Sequence, residues 1–327
     1  MAKAQKVVLS PEEKAEAKQK RWAQIKRDKW MYLLLLPGFL YFIIFKIVPM
    51  WGILISFKDY YAGIPFFGSN FFNGWIGFDN FKNFFTDSSF LQLLRNTLII
   101  SGMNIIFFFP LPIVLALLLN EIKVQWYKKV LQTLVYVPHF VSMVVIASIT
   151  FMLVKTPSME GMSGGALYEI VKSMTGKNLN ALGSPIAIYW VLLIQNIWKE
   201  TGWGTIIYLA ALSGISPDLY EAAEIDGANR LQQIWNITIP AIMNTILVVF
   251  ILNLAKVMNV FESVFVLYNS LVYDVSDVIQ TYTYRVGIVG NDYGYSTAIG
   301  LFKSVISLIL VTASDVISKK VRGYGIV

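Results

Sequence analysis

The sequence contains no cysteine and, in 327 residues, a single histidine, His139. The first absence excludes a disulfide, a thiol nucleophile and a cysteine metal site, and the second leaves a histidine metal cluster without ligands. Charge is also scarce. Only 14% of residues are Asp, Glu, Lys or Arg, against about 25% in soluble domains. A phosphate loop is missing as well. The one Gly-Lys pair, Gly176-Lys177, is followed by Asn178 and has Val171 where the first glycine of that motif belongs. No internal repeat is visible, which argues against secondary transporters built from inverted repeats.

What is abundant is apolar surface. The chain is 56% hydrophobic, and several runs exceed the roughly 20 residues that cross a hydrocarbon core about 30 Å thick. The expected fold is an all-α integral membrane protein with six transmembrane helices, over 31–57, 94–119, 130–154, 185–212, 239–265 and 296–317. A basic cytoplasmic tail, 1–29, precedes this six-helix domain, 30–327.

The net charge of +7 does not indicate nucleic acid, because nine Lys and Arg crowd into the first 29 residues. Such a tail is drawn to anionic headgroups, and its length argues against a cleavable secretory signal. With the N-terminus inside, the inner segments carry 16 basic residues and the outer segments 7. That bias places both termini in the cytoplasm. The tail alone decides it.

Pro37, Pro49, Pro110, Pro112 and Pro138, with Gly202 and Gly204, disturb the spans. In lipid such breaks are covered by protein or line water, which suits helices around a pathway. The segment 59–90 is crowded with aromatics, including Phe66, Phe67, Phe71, Phe72, Trp75, Phe78, Phe81, Phe84 and Phe85. It reads either as an interfacial belt or as a stacking surface for sugar rings or a docking partner.

One stretch breaks the apolar pattern. Residues 214–238 carry Asp218, Glu221, Glu224 and Asp226 against one Arg230. Ser216 is placed to cap a helix that starts at Pro217, where a missing N–H costs nothing. Asp218 in the first turn suits the helix dipole. Leu219, Ala222 and Ala223 share one face, and the two alanines let another protein approach closely. Gly227 is placed to end the helix with a positive φ. A second short helix is expected over 229–236, and Pro240 opens the fifth span.

Glu221-Ala222-Ala223, Gly227, and then Ile237-Thr238-Ile239-Pro240 after nine residues match a known signature at every fixed position but one, Ile239 standing for Leu. It is that of the permeases of binding-protein-dependent ABC importers, and the chain is identified as resembling that family. Trp198-Lys199-Glu200-Thr201-Gly202-Trp203-Gly204 and Tyr208-Leu209-Ala210-Ala211-Leu212 resemble its carbohydrate-uptake branch, near the LplB-type permeases for oligosaccharides of complex polysaccharides. Gly77-Phe78-Asp79-Asn80-Phe81, Asn96-Thr97, Val137-Pro138-His139-Phe140 and Gly323-Tyr324-Gly325 are weaker supports.

The resemblance implies a type I ABC importer permease fold in a bacterial cytoplasmic membrane. Residues 216–237 would be coupling helices seated in a cytosolic ATPase. Glu221 would meet it, Ala222 and Ala223 would permit close packing, and Asp226, Gly227, Ile237 and Pro240 complete the element. The implied partners are a second, different permease chain, two ATPases, a solute-binding protein outside, oligosaccharide cargo and the bilayer. ATP and Mg would sit on the ATPases, with no cofactor or metal on this chain and no enzyme activity of its own.

Ionisable groups inside spans are functional candidates. Trp198, Lys199, Glu200 and Tyr208 read as a sugar-contacting set, or as a snorkelling lysine and a structural glutamate. Asn253, Lys256, Asn259 and Glu262 recur every third residue and read as a wet helix face, or as interhelical glue. His139 reads as a hydrogen-bonder at a helix break, and Lys46, Lys303 and Asp315 as snorkelling groups. Two alternatives remain: the same importer class with an amino acid, osmolyte or phosphate as cargo, and, remotely, a membrane-embedded transferase.

Overall fold

The computed structural model describes residues 26–61, 74–157 and 163–322, with 20, 23, 24, 63 and 65 in addition. Most of the basic tail, Phe66, Phe67, Phe71 and Phe72, and Gly323-Tyr324-Gly325 lie outside the described residues. The chain divides into two units, Met1–Leu54 and Ile55–Val327. Among the described residues there is no strand, only the isolated bridges Lys58–Trp75 and Tyr61–Asp292.

In the first unit the helix Lys29–Phe42 has Pro37 inside and no buried residue. Its last turns widen into a five-residue π-helix, Ile43–Ile47. Such a face, apolar all round, suits lipid. In the second unit three rods are long and apolar enough to cross a membrane: Phe90–Asn120, Arg230–Ala255 and Tyr293–Lys320. With Lys29–Phe57 that makes four helices, or five if the bent pair Gln125–Phe140 and Met143–Val154 is one span. The fourth expected span, Ala187–Leu212, is long enough at 26 residues, but Gln195, Asn196, Lys199 and Glu200 interrupt its apolar run.

The prolines act in two ways. A proline lacks an N–H, and its ring collides with the carbonyl four residues back. Three π-turns end two residues before a proline: Ile43–Ile47 before Pro49, Asn104–Phe108 before Pro110 and Ile234–Thr238 before Pro240. The wider turn moves that carbonyl aside, so these rods continue through their prolines. At Pro138 the chain breaks instead. A 3-10 turn, Val137–Phe140, ends the first half and Ser142 caps the next helix. The halves meet at 97°, so a straight helix over 130–154 does not form.

The fifth span also departs from expectation. The second short helix expected over 229–236 is instead the start of this rod: Arg230–Gln233 runs through the π-turn into Ile239–Ala255. At its other end the helix stops at Ala255, and helix resumes only at Glu262–Leu267.

Three apolar clusters hold the second unit. Ala116, Tyr208, Leu212 and Ile242 form one, with Ile215 packed against it. Ile100, Ile188, Leu192, Val264 and Val278 form another, and Phe84, Leu93, Met258, Ile279 and Ile299 the third. In the last, Phe84, Phe85, Phe90 and Phe302 meet largely edge to face. Phe84 is buried in this cluster and Phe90 and Phe302 are half-buried against it, whereas Phe85, Phe78 and Trp75 stay exposed. Amide and hydroxyl contacts cross between rods: Gln195 Nε2 donates to Thr150 at 2.6 Å, and Asn196 Nδ2 to Asn104 at 2.6 Å. Interhelical hydrogen bonds of this kind replace the hydrophobic drive that lipid does not supply.

Candidate functional site

The polar loop folds as its local signals dictate. Pro217–Ile225 is a helix with Pro217 in its first turn, and the Ser216 hydroxyl accepts from Asp218 N at 3.4 Å. None of its residues is buried. It ends in a Schellman motif, in which Ala228 N donates to Ala223 O at 2.8 Å and Gly227 N to Glu224 O at 3.1 Å. Gly227 supplies the left-handed turn at φ 78°. Ala222 is exposed and Ala223 half-buried, while Glu221 and Asp226 are exposed. Asn229 and Gln232 then form a reciprocal capping box for the rod that carries Ile237 and Pro240.

Four further residues, absent from the spaced motif, fasten this loop. The Thr238 hydroxyl lies 3.3 Å from Gln233 O and shares a 2.9 Å hydrogen bond with the Tyr220 hydroxyl. Buried Gln233 donates Nε2 to Ala228 O at 3.2 Å. Arg230 lies 3.6 Å from Glu224 and 4.0 Å from Glu121, in the turn after the second span. Tyr220 falls at i+4 from Ser216, on the helix side facing the span, and that offset is the one signal that marks it.

A polar knot joins the bent third span to the fourth helix. Lys199 Nζ donates to the carbonyl oxygens of His139 at 2.6 Å and Val141 at 2.9 Å. Both acceptors lie at the break, where the helix can no longer satisfy them. Glu200 Oε2 meets His139 Nδ1 at 2.8 Å, and its other oxygen lies 3.6 Å from Lys199. Trp203 stacks on the His139 ring, 4.4 Å between centroids and 4° from parallel. Gly202 lets the two elements touch, since a Cβ there would lie 1.8 Å from Val135 O.

Lys199 and Glu200 are therefore brought together with His139, which was expected only to serve a helix break. Trp198 remains half exposed. Tyr208 is not brought to them. It is 1% exposed and sits in the apolar cluster with Leu212 and Ile242.

The row of four polar residues at every third position in the fifth span does not form a helix face. Asn253 is on the helix and donates Nδ2 to Val249 O at 2.8 Å. Lys256 is its C-cap, Asn259 lies in irregular chain and Glu262 begins the next helix. Lys256, Asn259 and Glu262 are nonetheless all exposed. Lys303 is held by the Gln280 side-chain oxygen, and Asp315 pairs with Lys319 at 2.6 Å, so neither reaches simply for headgroups.

The connection 268–295 is rigidly tied. Buried Asn96 donates Nδ2 to Asp274 O at 3.0 Å and Asp277 O at 2.9 Å, and Thr97 Oγ1 accepts from Ile279 N at 3.1 Å. Asn80 donates to Ser56 O and Lys58 O at 3.0 Å each. Burial pushes the Asp277 carboxyl up to about 6, which leaves it ionised at neutral pH to pair with Arg285 at 2.8 Å. The Asp87 carboxyl is partly desolvated, which raises it. The Ser89 N–H and the Tyr282 and Tyr295 hydroxyls outweigh that and hold it below the usual carboxylate range. A cavity of about 700 Å³ opens nearby, lined by Phe151, Lys155, Asn180, Tyr268 and Asn269. Among the described residues no group of three His, Asp or Glu could hold a metal ion.

Residues 109–323 match the family described as "Binding-protein-dependent transport system inner membrane component". Protein LplB of Bacillus subtilis (strain 168) is 46% identical over 305 residues, 93% of this chain and 93% of its own. The polygalacturonan/rhamnogalacturonan transport system permease protein YteP of the same organism is 41% identical over 314 residues, 96% and 95% of the two chains. A chain of a bacterial alginate ABC transporter, solved in complex with an alginate pentasaccharide-bound periplasmic protein, superposes with a TM-score of 0.82. It is 36% identical, and the match covers 93% of this chain and 99% of that one. The two chains share one fold.

Proposed function

The chain belongs to the family of inner membrane components of binding-protein-dependent transport systems, and from that premise we propose that it is one permease subunit of an ATP-driven importer of oligosaccharides. It is a multi-pass permease of the ABC class and not itself an enzyme. In this reading six spans, with Ala187–Leu212 as the fourth, lie in a bacterial cytoplasmic membrane with both termini inside. A second permease chain completes the pathway, two ATPases sit beneath, and a solute-binding protein delivers cargo from outside. ATP and Mg belong to the ATPases.

The observation that carries the proposal is the docking helix Pro217–Ile225. It has the spacing of the importer signature, no buried residue and a Schellman end. A soluble partner is the natural occupant of such a face. ATP-driven closure of the ATPases would move it, and the tilt of the attached spans would open the pathway alternately outward and inward. Oligosaccharide cargo is supported by relatives whose names specify polygalacturonan and alginate. The non-sugar alternative has weaker support, in an osmoprotective-compound permease 32% identical over 61% of this chain.

The test is reconstitution of the chain with its permease, ATPase and binding-protein partners. Oligosaccharide-loaded binding protein is expected to stimulate ATP hydrolysis, and Glu221→Ala to abolish most of that stimulation. Stimulation by amino acids alone, with oligosaccharides inert, would overturn the cargo assignment.

A further inference from the structure

We propose that Tyr220 and Thr238 form a latch that makes the docking helix and the fifth span move as one body. The inference rests on the importer reading and names positioning residues that the spaced motif does not contain.

A helix can push a span only if the joint between them is stiff. Pro217–Ile225 buries no residue, so apolar packing does not supply that stiffness along its length. The nearest apolar anchor is Ile215, which packs against the cluster of Ala116, Tyr208, Leu212 and Ile242 before the helix begins. Beyond the helix, Gly227 is a pivot with open space around it. The remaining ties are polar.

The ion pairs of Arg230 are long, at 3.6 and 4.0 Å, and their groups are half exposed. Exposed pairs of this kind contribute little. The Tyr220–Thr238 bond differs in three respects. It is short, at 2.9 Å, and it spans 18 residues. Thr238 itself is buried, at 4% exposure. The Thr238 hydroxyl also reaches Gln233 O at 3.3 Å, across the π-turn that admits Pro240, so the bond ties the docking helix to that turn whichever hydroxyl donates.

The latch thus joins the middle of the docking helix to the π-turn of the span's rod. Without it the helix could rotate about Gly227 and absorb the ATPase stroke. Tyr220 is half-buried on the side away from exposed Glu221 and Ala222, so its role is separate from contact with the ATPase.

The experiment compares Tyr220→Phe, Thr238→Val and the double variant in the complete reconstituted complex, with Thr238→Ser as the conservative control. The readouts are oligosaccharide taken up per ATP hydrolysed, and ATPase co-purification. Each single variant is expected to lower uptake per ATP on the order of fivefold, the factor carried by one neutral hydrogen bond. The double variant is expected to be no worse than either, Thr238→Ser to retain coupling, and co-purification to persist. Wild-type stoichiometry in Tyr220→Phe, or additive losses in the double variant, would overturn the latch. A wild-type complex that neither stimulates nor transports would overturn the importer reading, and the latch with it.

Discussion

Glu200 meets His139 at 2.8 Å across 61 residues of sequence, and Lys199 beside it caps the carbonyls freed where the third span bends. Two charges on the helix Ala187–Leu212 thus stand where a broken helix needs them. The expense of placing ions in a membrane is offset by each other and by backbone dipoles. This geometry favours the brace over the sugar contact as the first role of Lys199.

Replacing Lys199 by Met would leave the carbonyls of His139 and Val141 unanswered. The expected loss is about 1.5–3 kcal/mol, the range for hydrogen bonds to charged groups, read as a lower thermal midpoint of the complex in nanodiscs. Unchanged stability with altered sugar preference would instead mark Lys199 as a cargo contact.

Gly202→Ala places a Cβ 1.8 Å from Val135 O, a backbone atom that cannot turn aside. The helices must separate, and overpacking of this kind costs about 1–3 kcal/mol or more. Gly204→Ala meets Pro112 Cγ at 3.0 Å and is expected to be milder. Folded yield and thermal midpoint of the two variants should rank accordingly.

Gly227→Ala meets no neighbour, but its φ of 78° is strained for any side chain. The cost is about 1–2 kcal/mol, borne locally by the docking loop. Binding-protein-stimulated ATP hydrolysis is expected to fall while the thermal midpoint of the spans holds. Gly227→Asn, which tolerates the left-handed turn, should retain more of the stimulation.

Asp87 gives a pH dependence with a definite sign. Its folded carboxyl lies below the ordinary range, so its contribution is present above the unfolded value and is lost as pH falls through the folded one. The Asp87 contribution to hydrogen-exchange protection of residues 279–284 is therefore expected to be full and constant between about pH 8 and pH 5. Protection should weaken only below the usual carboxylate range. Asp87→Asn should remove that acid step.

The docking helix was legible because its signals are local: a serine cap, a first-turn proline and a glycine end. Tyr220 and Thr238 were not, since their bond joins two secondary structures and neither residue breaks a local pattern. Proline positions were equally visible at 110, 138 and 240. A π-turn absorbs the first and last, whereas the chain bends at the second, and only the surrounding packing distinguishes them. The row from Asn253 to Glu262 kept its spacing but lost its helix at Ala255, where buried Val257 and Met258 turn into the core around Ile299. Asn80 and Asn96 stood out only through resemblance. Their reason is physical: each holds two main-chain carbonyls of a distant segment.

The central claim is that Pro217–Ile225 is the face a cytosolic ATPase grips. The absence of cysteine permits a direct measurement. Ala222→Cys places one thiol on that helix, and a thiol-anchored photocrosslinker there should capture the ATPase subunit in the assembled complex. The same probe at exposed Phe78→Cys, on the opposite side of the membrane in this topology, should not. Capture from residue 78 and none from residue 222 would contradict the account.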